Sequence, residues 1–309
     1  MHLLIPFASC DDPACRQVLR ELRLPHLQEL LARLTPQAVA PGPANAPDLP
    51  HAQVQAAALG LDPQAPAWAA LRAHELGLKE ADSAAWAFIT PCHWQVGQNN
   101  VLLLPPWELA LTPEESQALL TAMQPYFAED GIALLPDTPA RWLARGEVFR
   151  PLASASVERA LGRNIAPWLP ASPLLRRLQN EMQMLLYTHT VNDARAQHGA
   201  LTVNSFWISG SGALIAPVHD SARSLTVADG LLHAALCGDW SAWGRAWAQL
   251  DATELATLQE RLEAGQRDVV LTLCGEHRAR SFSLAPRSLW TRLSHLFQHR
   301  SPADIMNTL

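Results

Sequence analysis

Val269-Val270-Leu271-Thr272-Leu273 runs without interruption into Cys274-Gly275-Glu276-His277, and a second run of the same quality, Asn204-Ser205-Phe206-Trp207-Ile208, ends at Gly210-Ser211-Gly212. Both are too short for helices and rich in β-branched or aromatic residues, so each predicts a buried strand. Between them, the stretch from Ala234 to Leu250 has helical spacing. This order predicts a β-α-β arrangement with a parallel sheet, whose functional edge lies at the carboxyl ends of the strands.

Working outward, Leu3 to Phe7 predicts a first strand, and Ser9-Cys10-Asp11-Asp12-Pro13 a turn into a helix that Asp11 or Asp12 caps. Leu27, Leu30, Leu31 and Leu34 supply a second helical stripe. Pro36, Pro41, Pro43, Pro47 and Pro50 then mark residues 35–50 as a linker or a long exposed loop. Strands at Ala87–Pro91 and Val101–Pro105 flank the turn Gly97–Asn100 and predict a hairpin. Thr112-Pro113-Glu114-Glu115 forms a capping box that opens a helix to about Tyr126, and a further helix covers about Ser172 to Thr188. The predicted organisation is a strand-helix start (1–34), the proline-rich linker (35–50), a helical and hairpin segment (51–104), an α+β module (105–185) and an α/β unit (186–309).

The chain has 309 residues, of which 49% are hydrophobic and 17% charged, with a net charge of −6. No apolar run reaches the ~18 residues of a membrane span. The cations are scattered, which argues against a nucleic-acid partner. Five cysteines, odd in number and widely spaced, suit a reduced, cytoplasmic setting.

Several residue groups could carry chemistry. Gly210-Ser211-Gly212 after a strand has the form either of a phosphate-cradling turn or of a plain tight turn. Glu276 and His277, with the pair His219 and Asp220, offer four metal ligands, against about six or seven for a two-metal phosphoryl-transfer site. Cys10 and Cys15 could hold zinc or be ordinary thiols, and Cys274 is a conceivable nucleophile or a core residue. Trp240, Trp243 and Trp247 share one helix face, as a packing stripe or as a binding platform. His295 and His299 could chelate a metal or sit in a terminal amphipathic helix.

The segment His189-Thr-Val-Asn192-Asp-Ala-Arg195-Ala-Gln-His-Gly199-Ala-Leu-Thr-Val-Asn204-Ser-Phe-Trp207-Ile-Ser-Gly210-Ser-Gly212 resembles a motif of the archaeal-type, cofactor-independent phosphoglycerate mutases. Arg141-Trp-Leu and Leu161-Gly-Arg163-Asn-Ile-Ala-Pro-Trp-Leu-Pro170 are similar to that family's substrate-domain segments. Taken whole, the chain also resembles a proteobacterial group labelled putative phosphoglycerate mutase or regulator of pathogenicity factors E. The resemblance implies a reduced alkaline-phosphatase-like α/β unit with an α+β substrate-domain-like module. It also implies arginines facing phosphate, for which Arg141, Arg150, Arg163 and Arg195 are the candidates. His189, Asn192 and Asn204 are expected to hold the chain between the two units.

The departures from that family shape the expected function. Phe7-Ala8-Ser9-Cys10-Asp11-Asp12 lacks the family's Asp-Gly metal motif, Ser156-Val157-Glu158-Arg159 lacks its histidine, and Gly275 stands where an aspartate ligand is expected. The expectation is a non-catalytic relative, without a cofactor, that binds a protein or a small phosphorylated or carboxylated ligand. Two alternatives stay open. One is a phosphoglycerate mutase or phosphohydrolase using manganese or zinc at His219, Asp220, Glu276 and His277, and the other is a protein-interaction module using the tryptophans and the proline-rich segment.

Overall fold

In the computed structural model, which describes residues 1–37, 46–215, 225–284 and 301–309, the amino-terminal apolar run forms β1 (His2–Ile5). Its neighbours come from the far end of the chain. β1 pairs in parallel with β10 (Val270–Cys274) on one side and β9 (Leu225–Val227) on the other. β11 (Ala279–Ser283) runs antiparallel to β10, and β2 (Thr35–Pro36) closes the edge, giving the order β2-β11-β10-β1-β9. Leu3, Leu4, Ile5, Leu271 and Leu273 have no exposed surface, as strands covered on both faces require.

The helices Pro13–Glu21, Pro25–Arg33 and Trp240–Leu250 contribute side chains to the same core. Asp12 caps the first, its Oδ1 accepting from the Ala14 N–H at 2.7 Å. The second has a cap from far along the chain, because the buried Asp251 carboxylate accepts from the Leu27 N–H at 2.9 Å and the His26 N–H at 3.3 Å. Trp243 and Trp247 are fully buried and meet edge to face, with ring centroids 6.2 Å apart. Trp243 Nε1 donates to the Phe7 carbonyl at 2.9 Å, so this stripe packs the core and is not a binding platform.

By contact, the chain divides into two units. The first takes Met1–Asn45, Leu49–Leu59 and Asp220–Leu309, and the second Ala46–Asp48 and Gly60–His219. The sheet of the second unit is antiparallel. β3 (Trp86–Cys92) lies between β7 (Arg141–Arg145) and β8 (Ser205–Gly212), and β6 (Ala133–Thr138) lies outside β7. A separate two-stranded ribbon joins β4 (Trp94–Val96) to β5 (Val101–Leu103). The capping box at Thr112 forms as its sequence predicts and opens the helix Pro113–Glu129. The molecule is thus a mixed α/β protein.

Three expectations need correction. The strand at 204–208 does not join the strand at 269–273 in a β-α-β arrangement, since β8 pairs antiparallel with β3 while β10 pairs with β1. Residues 186–215 accordingly belong with the second unit. The physical reason is that β8 is buried on both faces, with the helix Trp68–Glu75 against one and the helix Pro173–Tyr187 against the other. A fully buried antiparallel strand reads in sequence like a parallel one. The hairpin around Gly97–Asn100 is built from Trp94–Val96, one strand later than expected, because Ala87–Pro91 is taken by the central sheet. The proline-rich stretch 35–50 is packed at both ends: Thr35–Pro36 is an edge strand, Ala46, Asp48 and Leu49 are buried, and Pro50 opens a helix. No helix among the described residues is long and apolar enough to cross a membrane.

Gly210 and Gly212 lie inside β8, and the space a phosphate would need is filled. A Cβ on Gly210, at φ +58°, would stand 2.9 Å from Trp68 Cβ and 3.0 Å from Phe88 Cδ2. One on Gly212 would stand 3.0 Å from Ala67 Cβ. The pair is therefore a close-packing device for the helix that begins at Trp68. Gly210→Ala is expected to lower unfolding stability by about 1–3 kcal/mol in denaturant titration, through backbone strain and overpacking.

Candidate functional site

The β1–β10 pairing fixes where the two chain segments leave the first unit's sheet. Ile5 is opposite Leu273, and just beyond the strand the Ala8 N–H donates to the Cys274 carbonyl at 2.7 Å. The turn 9–12 and the turn 275–278 therefore emerge side by side at the carboxyl edge of the parallel strands. There Asp11, Glu276 and His277 come together, with one ligand atom of each within 4.8 Å of the others.

His277 Nε2 is 2.7 Å from Asp11 Oδ2, and Arg16 Nη2 donates to Asp11 Oδ1 at 3.0 Å. Partial burial of the Asp11 carboxyl opposes its ionisation. His277 and Arg16 outweigh that penalty and hold its pKa below the ordinary carboxylate value. His277 Nδ1 is buried with no hydrogen-bond partner among the described residues. The three groups offer two carboxylates and an imidazole, a donor set that suits one manganese or zinc ion with positions left open.

Cys10 and Cys15 adjoin this cluster and lie in the core. The neighbouring Cys15 thiol pushes the Cys10 thiol up, with burial and the charges of Glu276 and Asp11 adding to the effect. Cys10 in turn holds the Cys15 thiol below its ordinary value. Cys274 is fully buried in β10 and burial pushes its thiol up, so it is a core residue and not a nucleophile.

Of the four metal-ligand candidates named from the sequence, Glu276 and His277 meet, while His219 and Asp220 lie outside the described residues, as do His295 and His299. Asp11 joins the cluster although its sequence context suggests only a helix cap. At Gly275, where the resemblance leads one to expect an aspartate, a Cβ would stand 2.8 Å from the Leu309 carbonyl carbon.

The arginines proposed for anion contact have protein partners. Arg141 donates from Nε and Nη2 to Asp137 Oδ2, at 3.0 and 2.7 Å, and covers the Phe88 ring at 4.2 Å. Arg72 holds the other oxygen of the same carboxylate, at 3.0 and 2.9 Å. Arg150 pairs with Glu147 at 2.7 Å and donates to the Ser83 carbonyl. Arg195 is buried, where it pairs with Glu115 at 2.7 Å and donates to the Leu201 and Leu109 carbonyls. Arg163 is exposed, at the turn after the short helix Val157–Ala160.

Among the described residues, the hydrogen bonds of the remaining motif residues lie within the second unit. His189 caps the helix Thr190–Gln197. Buried Asn192 bonds the Leu186 and Val203 carbonyls and the Val203 N–H, and the Asn204 amide closes on both backbone groups of Trp94. Trp207 donates its indole N–H to the Ala155 carbonyl at 2.8 Å.

No protein-family description matches this chain, and no curated protein matches it. Among solved structures, it is similar to the PH0037 protein from Pyrococcus horikoshii, at 13% identity and a TM-score of 0.45, over 91% of this chain and 86% of that one. It is also similar to a cofactor-independent phosphoglycerate mutase from Thermoplasma acidophilum, at 12% identity and a TM-score of 0.39, over 99% and 98% of the two chains. Likeness at this level assigns neither a family nor an activity.

Sequence pattern gives no sign of one further titratable group, Asp48, because its burial depends on the second unit closing over it. It is 4% exposed, and burial with the nearby Glu158 pushes its pKa up to about 7, against the pull of Ser156, Arg159 and Trp68. Between its ordinary value of 3.8 and about 7, the folded chain keeps this proton and the unfolded chain does not. Stability should therefore fall as pH rises through that window and level off above it. Asp48→Asn is expected to flatten that part of the stability-pH curve in urea titrations.

Proposed function

We propose that the chain is a non-catalytic relative of the cofactor-independent phosphoglycerate mutases. In this reading it is a cytoplasmic binding or regulatory protein on a reduced alkaline-phosphatase-like α/β unit with a substrate-domain-like module. Its partner would be a protein or a small phosphorylated or carboxylated ligand. The observation that carries this is the size of the donor set at the strand ends. Among the described residues, Asp11, Glu276 and His277 make up half or fewer of the ligands a two-metal phosphoryl-transfer site uses, and two of them are already bonded to one another. Phosphoryl transfer depends on cations to neutralise charge that develops on the phosphate oxygens. A side chain at Gly275 itself would require Leu309 to shift, since a Cβ there would stand 2.8 Å from it.

The same triad favours a second reading, a metal-dependent phosphoglycerate mutase or phosphohydrolase. Asp11, Glu276 and His277 would hold one manganese or zinc ion, which when bound would supply Lewis-acid polarisation of a phosphoryl oxygen. In that reading Asp11 and His277 would be among the residues that hold the ion, and Arg16, which donates to Asp11 Oδ1, would help to keep the Asp11 carboxylate ionised. Trp243 and Trp247 are buried and so do not serve an interaction module, which would use other tryptophans such as the exposed Trp107.

One experiment separates the readings. Chelator-stripped protein is supplied with manganese or zinc, and its metal content, phosphoglycerate mutase activity and phosphomonoester hydrolysis are measured together. At most about one equivalent and no turnover is the expected outcome. Turnover that rises with bound metal and disappears in His277→Ala would overturn the non-catalytic reading and establish the second.

A further inference from the structure

The second unit carries a feature that neither functional reading uses. A cavity of about 620 Å³ is walled by β4, β5, the helices Pro173–Tyr187 and Thr190–Gln197, and residues 202–204. Its apolar walls reach solvent, with Val96 78%, Met184 73% and Tyr187 83% exposed. Large apolar side chains exposed singly are ordinary, whereas three gathered at one cavity mark a place for a ligand. Two of the polar groups lining it are already committed to the fold. Asn204 accepts from the Trp94 N–H at 2.7 Å and donates to the Trp94 carbonyl at 3.0 Å, and Asn192 bonds the Leu186 carbonyl and both backbone groups of Val203. Asp193 is different. It is exposed, its carboxylate has no partner among the described residues, and it is the one charged side chain lining the cavity.

We propose that this cavity binds an organic cation, a small molecule with an apolar body and an alkylated ammonium group. Trp94 and Tyr187 contribute aromatic rings, whose electron-rich faces attract an ammonium group lying within about 6 Å of the ring centroid. Asp193 supplies the countercharge, and no cationic side chain lines the walls to repel the ligand. An alkylated ammonium suits such a place because it is weakly hydrated and needs few hydrogen-bond acceptors. The volume lies within the ~300–1,000 Å³ of small-molecule sites, so the apolar body has room against Val101, Met184 and Val203. The unbranched Met184 thioether can adjust to the shape of that body. The same carboxylate disfavours phosphorylated and carboxylated compounds, which sets this site apart from the anionic ligand class considered above.

The test uses the full-length chain with ¹³C-methyl methionine, whose five methyl resonances are followed by NMR as benzyltrimethylammonium is added. Met184→Leu assigns the resonance at the cavity, and buried Met123 reports on the fold of each variant. The Met184 resonance is expected to move saturably while that of Met123 stays in place. Asp193→Asn and Tyr187→Ala are each expected to weaken the apparent affinity by about fivefold with Met123 unchanged, and added salt to weaken it in the parent chain. Toluenesulfonate, with a similar ring and the opposite charge, should produce no saturable movement. The proposal is overturned if the cation causes none at about 10 mM, ten times a weak Kd of ~1 mM. It is overturned equally if benzyl alcohol or toluenesulfonate binds as well as the cation, or if Asp193→Asn binds it unchanged. A Met184 resonance that moves with protein concentration in the absence of the cation would also overturn it, because a second copy of the chain would then cover the cavity.

Discussion

The parallel pairing of β1 with β10 is the constraint on which the candidate site depends. It joins the amino terminus to residues some 270 positions away, and its register continues past the strands through the Ala8 N–H to Cys274 carbonyl bond. Two turns of unrelated sequence are thereby held side by side. Asp11 meets His277 across a separation of 266 residues because both strands end at the same level. The helices Pro13–Glu21 and Trp240–Leu250 pack through Leu19, Trp243 and Trp247 on the core that holds Leu3, Ile5, Leu271 and Leu273.

The second unit is organised by a different requirement, the covering of an antiparallel sheet on both faces. β8 has the helix Trp68–Glu75 on one side and Pro173–Tyr187 on the other, and Gly210 and Gly212 let the first of these approach closely. Much of the motif between His189 and Gly212 is consumed by this packing. Asn192 and Asn204 replace backbone partners at bends, Trp207 anchors a loop, and Arg195 neutralises Glu115 while satisfying two carbonyls. A buried polar group without partners costs free energy, which explains why such residues recur at spaced positions without forming an active site. Asp137 shows the same economy, one enclosed carboxylate serving both Arg72 and Arg141.

The chemistry concentrated at the strand ends is thus modest in donor count but closely coupled. Asp11 touches His277 and Arg16, and its charge is felt at Cys10.

The individual elements are specified by local sequence. Asp12 before Pro13, and Thr112 with Glu115, specify helix starts through caps that act within three residues, and the runs at Leu3 and Val269 specify strands by their apolar content. It also marked Glu276 and His277, which lie next to one another and follow a buried strand. What only the tertiary structure decided is which strands pair and which side chains meet. A strand buried on both faces carries the same pattern in either sheet, so the partner of β8 was not legible. Asp11 reads in sequence as a capping residue and Asp48 as part of a loop, because each owes its environment to segments distant in sequence. Local signals act over a few residues, whereas the electrostatic and packing surroundings of a side chain are set by whatever the fold brings against it.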